Sequence, residues 1–183
     1  MAIRRSAGIL LFRRPADDPA ARREVGLEVL LGHPGGPFFV RRDDGHWSIP
    51  KGEPDAADAA GATDADDDEL LHVARREFAE ETGHPAPDTQ PDGGPPIALG
   101  TIVQKGGKVV HAWAVEGDLD PDRAVSNEFE MEWPPRSGQT RSFPEIDRVA
   151  WFSADEARRR LKPAQVPFVD RLVEIVGREP DRT

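Results

Sequence analysis

Three glutamates stand at positions 77, 80 and 81 in the run Arg76-Glu77-Phe78-Ala79-Glu80-Glu81-Thr82-Gly83. On a helix these are positions i, i+3 and i+4, so their carboxylates share one face. Like charges at that spacing repel and cost stability unless something cationic offsets them. A hard divalent ion is the economical partner, because magnesium and manganese prefer carboxylate oxygens and water. Taken alone, three glutamates favour a solvated helix face paired locally with Arg75 and Arg76, since charge runs usually face solvent. Their surroundings favour the metal. Upstream lies the turn-forming stretch Trp47-Ser48-Ile49-Pro50-Lys51-Gly52-Glu53, and downstream Gly83 closes the helix. A carboxylate cluster on a loop–helix–loop between strands is what a metal–phosphate site needs.

The elements that would position this cluster follow from periodicity. From Glu69 onward Leu70, Val73, Ala74, Phe78 and Ala79 recur at helical spacing, and the helix should end near Thr82-Gly83, with Gly83 left-handed. Ile3 to Phe12 and Leu27 to Gly32 read as strands, and Phe38 to Val40 as a short strand after the His33–Pro37 turn. Ile97 to Gln104 and Lys108 to Glu116 form a hairpin around Lys105-Gly106-Gly107, with Val109, His111, Trp113 and Val115 on one face. Asn127 to Pro144 reads as irregular and Arg148 to Phe152 as a final strand. Ser153 suits the N-cap of a short helix through Arg160, with Glu156 completing a capping box, and Ala164 to Val176 reads as an amphipathic closing helix.

Composition narrows the function classes. The 183 residues suit one domain with one core. There is no cysteine, which excludes disulfides, thiolate metal sites and a cysteine nucleophile. No apolar run reaches membrane-spanning length, and the apolar segment Ala7–Phe12 is too short for a signal peptide, so a cytoplasmic protein is expected. The formal charge is −10, and eight acids with no Lys or Arg lie between Glu53 and Glu69. The remainder is nearly balanced, so no broad basic surface awaits a nucleic-acid polymer. Ala56 to Asp68 is nearly all Ala, Asp, Gly and Thr, too poor in apolar surface to offset its ordering entropy, and is expected to be a mobile acidic loop with a passive role.

Arg76, Glu77, Phe78, Glu80, Glu81 and Gly83, together with Pro50-Lys51-Gly52, resemble the signature of the Nudix (MutT-like) hydrolase family. That signature runs glycine, five residues, glutamate, seven residues, then Arg-Glu-apolar-x-Glu-Glu-x-Gly. The second half matches residue for residue. The first half departs: Asp68 stands where glutamate is usual, fifteen residues separate it from Gly52, and His84 replaces an apolar residue. The departure has the form of an acidic insertion at 56–68 within a single domain spanning 1–183.

The resemblance implies an α+β fold, an α/β/α sandwich with a mixed sheet, and a magnesium-dependent pyrophosphohydrolase, manganese being a substitute. It implies that Glu77, Glu80 and Glu81 bind the metal, that Arg76 holds them in place and that the Gly52 backbone faces the ion. Glu145, before the strand carrying Trp151, resembles the later-loop glutamate of many members and would be a further ligand or the general base; a surface loop acid is the alternative, and Glu77 is the other candidate base. Glu128 and Glu130 are weaker candidates for that role. The metal would neutralise and orient the phosphates and lower the pKa of a water that attacks phosphorus.

Substrate contacts are assigned to Trp47, Lys51 and His111, each with a plainer reading beside it: a core aromatic, a surface lysine and a packed, satisfied histidine. Lys105, Lys108 and the Arg136–Arg141 loop are further anion contacts of the same standing. The substrate expected is small and nucleotide-like, with a diphosphate linkage. A dinucleoside polyphosphate comes first, then ADP-ribose, an oxidised nucleotide or an inositol pyrophosphate. Two other classes remain: an inactive Nudix-like binding or regulatory module, and an unrelated protein with a solvated acidic helix.

Overall fold

The computed structural model describes residues 4–14, 26–55 and 66–177. Its strands are β1 (Arg5–Arg13), β2 (Glu28–Pro34), β3 (Lys51–Gly52), β4 (Ile97–Val103), β5 (Val109–Glu116), β6 (Glu128–Glu132), β7 (Thr140–Pro144) and β8 (Ile146–Ser153). Its helices are α1 (Asp67–Thr82), α2 (Ala154–Arg160) and α3 (Val166–Gly177). Among the described residues a six-stranded mixed sheet runs β4-β5-β1-β2-β8, with β3 also on β1, and β6 and β7 form a separate hairpin. β1 pairs parallel with β5 and antiparallel with β2 and β3.

Alternation along β1 divides the interior in two. Ala7, Ile9 and Leu11 face α1, where they meet Leu70, Val73, Ala74 and Phe78. Leu10 and Phe12 face α2 and α3, where they meet Ala157, Phe168, Val169 and Leu172. The result is helix on both faces of one sheet, the expected α/β/α sandwich. Val110, Ala112 and Ala114 lie on the α3 side and Trp113 and Val115 on the α1 side, as the period of two requires.

One irregularity creates room for a site. β2 holds the end of β1 at Phe12 and Arg13, whereas β3 holds its beginning at Ala7 and Gly8. Both strands occupy the same edge of β1, so they must part between those points. The segment before β3 fills the fork: Ser48 exchanges backbone bonds with Gly32 of β2, and Ile9 of β1 donates to Pro50.

Helix α1 starts two residues before the expected Glu69. Asp66 caps it by accepting from the Glu69 amide (2.9 Å), and three acids fill its first turn. It ends at Gly83 with φ 73°, as anticipated. Three other expectations need correction. Phe38–Val40 is a turn, because the Gly36–Arg42 stretch closes on itself through Phe39→Gly36 and Arg42→Phe39 backbone bonds. Asn127–Pro144 is the β6–β7 hairpin, whose Glu-Phe-Glu-Met-Glu strand alternates exposed glutamates with half-buried Phe129 and Met131. The last helix begins at Val166, after a 3-10 turn at Pro163–Gln165. The 56–65 part of the expected acidic loop lies outside the described residues. Among the described residues no helix is long and apolar enough to cross a membrane.

Candidate active site

Helix α1 packs its apolar stripe on β1, and this turns its glutamate face toward β3. Glu77 is buried at 8% exposure. Its carboxylate rests on Gly52, where any Cβ would overlap it. The close approach of a charged group, and not turn geometry, is therefore what a side chain at position 52 would disturb. The Ser6 hydroxyl fixes the same peptide by donating to the Gly52 carbonyl (2.8 Å).

Arg76 is the organiser of the cluster. It contacts Glu77 (2.9 Å), donates to both Glu80 oxygens (3.1 and 3.2 Å) and reaches the Glu53 carbonyl (3.3 Å). Glu81 accepts from the backbone amide of Lys51 at 2.9 Å. Burial raises the pKa of Glu77, with Arg76 opposing and Glu80 and Glu145 adding repulsion. Burial likewise pushes Glu81 up to about 8, with Lys51 opposing and Glu77 and Glu145 adding repulsion. Glu145 thus acts on both glutamates although it lies in a different loop.

A backbone strap places Glu145. Val125 donates to Thr82 (3.0 Å) and Asn127 to Glu80 (2.9 Å), which ties the 125–127 segment to the end of α1. Glu145 then donates to the Asn127 carbonyl (2.8 Å), and its own carbonyl accepts from Gly35 (2.9 Å). The strap was missed in the sequence, since backbone bonds leave no mark on residue type. Glu128 and Glu130 sit on the exposed hairpin, where Glu128 accepts from Ser142 (2.7 Å).

The three assigned substrate contacts separate. Lys51 is beside Glu81. His111 lies on the α1 side, two strands from Gly52, since Ala7 is in register with both. It stacks on Trp113 at 6.4 Å, and burial lowers its pKa. Trp47 takes the plainer reading: it is 3% exposed in the core under α2 and α3, edge-on to Phe152 and His33, with its ring N–H on Asp43 (2.6 Å). That is the opposite face of the sheet from α1. Lys108 pairs with Glu53 at 2.5 Å, and the Arg136–Arg141 stretch spans the far turn of the β6–β7 hairpin and the start of β7.

Among the described residues, no three carboxylate or imidazole side chains are gathered closely enough to hold a metal as they stand. The contacts explain why: Glu80 is drawn to Arg76 and Glu81 to the Lys51 amide, which spreads mutually repelling groups. The residues nonetheless fit a hard cation. Their donors are all oxygen, and Glu77 and Glu81 are held with too little positive charge for their burial.

No family model and no curated protein matches the chain. Solved structures do. A Caenorhabditis elegans Ap4A hydrolase in binary complex superposes with TM-score 0.59 at 17% identity, over 96% of this chain and 98% of that one. The NUDIX domain of Shewanella oneidensis NrtR, complexed with ADP ribose, gives 0.59 at 17% over 96% and 90%. A NUDIX hydrolase from Alicyclobacillus acidocaldarius gives 0.57 at 18% over 94% and 91%. The chain has the Nudix fold. Its mixed sheet, its α1 layer and its α2–α3 layer are those of the Nudix sandwich, as the glutamate run implied. A fold does not carry a substrate with it, so the chemistry must be argued from the side chains.

Proposed function

We propose that this protein is a divalent-metal-dependent hydrolase of phosphoanhydride bonds in a nucleoside diphosphate-linked substrate. The observation that carries this is the seating of Glu77 on Gly52, with Glu80 and Glu81 around it and Arg76 bracing two of the three. A solvated acidic helix needs no buried glutamate and no glycine beneath it. The alternative of an inactive binding module gains no support, because all three glutamates are kept.

Magnesium, or manganese, would be held by Glu77, Glu80, Glu81 and Glu145, with Gly52 lining the site; when bound it supplies charge neutralisation and Lewis acidity at the phosphate oxygens. The chain's own residues do the rest. Arg76 fixes the directions of Glu77 and Glu80 from outside the cluster. Burial raises the pKa of Glu77 and that of Glu81, the latter to about 8, which favours proton acceptance of the kind general-base work requires. Glu145, supported from the strap and exposed, is the remaining candidate for taking the proton of the attacking water. Water adds to one phosphorus, the bridging P–O bond breaks, and the other phosphate leaves with its oxygen.

A dinucleoside polyphosphate is the first substrate to test, and ADP-ribose the second; one solved neighbour is an Ap4A hydrolase in binary complex and another is a NUDIX domain complexed with ADP ribose. Oxidised nucleotides and inositol pyrophosphates share the same linkage. Manganese binding followed by electron paramagnetic resonance tests the metal assignment. Wild type should bind, and Glu81→Gln should bind at least about 10-fold more weakly. Equal binding by the two proteins would remove Glu81 from the site.

A further inference from the structure

Two partly buried lysines, Lys51 and Lys162, lie within electrostatic reach of Glu81, and among the described residues neither ammonium has a partner at ion-pair or hydrogen-bond distance. Lys108, by contrast, is held by Glu53 at 2.5 Å. Lys162 comes from the far end of the chain, in the turn between α2 and α3. Four bonds place it. Trp47 donates to the Arg160 carbonyl (3.0 Å) and Lys162 to the Trp47 carbonyl (2.9 Å). Ile49 donates to Gln165 Oε1 (3.0 Å), and Gln165 Nε2 donates to Ser48 Oγ (3.0 Å). The turn is thereby stitched to the segment that runs directly into Lys51 and Gly52.

The charges around Lys162 describe its surroundings. Burial lowers its pKa, Glu81 opposes this, and Lys108 adds repulsion. Lys51 is lowered by burial in the same way, with Glu81 opposing and Lys162 and Lys108 repelling. If either lysine served only to neutralise Glu81, contact would be the favourable arrangement. Glu81 instead takes the Lys51 backbone N–H, and both ammonium groups are left over. A compact point charge on a flexible stem suits phosphate oxygens.

We propose that Lys162 is a substrate-binding residue: together with Lys51 it receives the non-bridging oxygens of the substrate's polyphosphate chain beside Glu81. This rests on the hydrolase reading and adds to it a ligand from the α2–α3 turn. Lys51 was assigned from its place before Gly52, whereas nothing in the local sequence Leu161-Lys162-Pro163 distinguishes Lys162 from a surface lysine.

The test is pyrophosphate binding by calorimetry in the presence of a chelator, so that no metal takes part, for wild type, Lys162→Met and Lys162→Arg. Methionine keeps the aliphatic stem, and thermal melting checks that each variant is folded. The expected result is at least a 10-fold weaker Kd for Lys162→Met, with Lys162→Arg close to wild type. An unchanged Kd in a folded Lys162→Met would overturn the proposal, as would a lowered melting temperature with an unchanged Kd, which marks a structural counter-charge. On a substrate that is turned over, Lys162→Met should raise KM more than it lowers kcat. Lysine-dependent pyrophosphate binding in a protein that hydrolyses nothing would support the anion site while sinking the hydrolase reading.

Discussion

The Glu77 carboxylate lies where a side chain at Gly52 would stand, and this contact makes a sharp prediction. In Gly52→Ala the new methyl meets the end of a flexible side chain, so the carboxylate moves and the backbone need not. Stability should hold within about 1 kcal/mol, as for other Gly→Ala changes at tolerant positions. Divalent-metal affinity should drop about 10- to 100-fold, the range for disturbing a ligand's support. Calorimetric metal titration alongside urea denaturation measures both. Unchanged metal affinity would show that Glu77 need not lie on Gly52 to work.

The raised pKa values of Glu77 and Glu81 set a pH dependence whose sign is fixed. A carboxyl whose folded pKa exceeds its unfolded value binds more protons in the folded state. Its stabilising contribution is complete below the unfolded value and fades as pH rises through the folded value, to about 8 for Glu81. Magnesium needs the deprotonated ligands, so it acts where that contribution has gone. The magnesium-induced rise in Tm should therefore be larger near about pH 8.5 than near about pH 5.5. A larger rise at the acid end would contradict the assignment of these two carboxylates.

At the scale of elements, the fork between β2 and β3 keeps its shape because Gln165 fills a polar need inside the α2–α3 layer. Its side chain is fully buried and accepts from the Ile49 amide. Gln165→Leu would leave that amide without its partner, a loss of about 1–3 kcal/mol for a buried donor. Urea denaturation should find this loss, and a neutral substitution would mean that the turn is not held through Gln165. Legibility in the sequence divides along the same lines. α1, its Gly83 stop and the β4–β5 hairpin were plain, because apolar period and turn residues specify them locally. The β6–β7 hairpin was not, since its alternation is short, two half-buried apolar residues between three exposed glutamates, and its connection is rich in Pro and Gly. The roles of Asn127 and Gln165 depend on partners far along the chain, which no local pattern records.

For the whole molecule, the Arg76–Gly83 run together with Pro50-Lys51-Gly52 pointed to the α/β/α sandwich, and solved structures at 17–18% identity bear out that fold over nearly the whole chain. The site was legible where one helix and one glycine make it. It was not legible where tertiary structure adds to it: the turn carrying Lys162, proposed above as a phosphate ligand, comes from the C-terminal layer, and Trp47, four residues before Lys51, turns to the opposite face. Alternation in a strand separates near neighbours, and a fork in the sheet gathers residues more than a hundred positions apart.

A turnover screen bears on hydrolysis itself. Wild type and Glu81→Gln would be incubated with and without magnesium against diadenosine tetraphosphate, ADP-ribose, nucleoside triphosphates, an oxidised dGTP, a sugar nucleotide and an inositol pyrophosphate, with products identified. The proposed function predicts phosphorylated products from at least one member, only with the metal, and a loss of about 100-fold or more in the variant. Turnover that persists without metal, or that Glu81→Gln retains in full, would contradict it, as would a folded, metal-binding protein that leaves the whole panel intact.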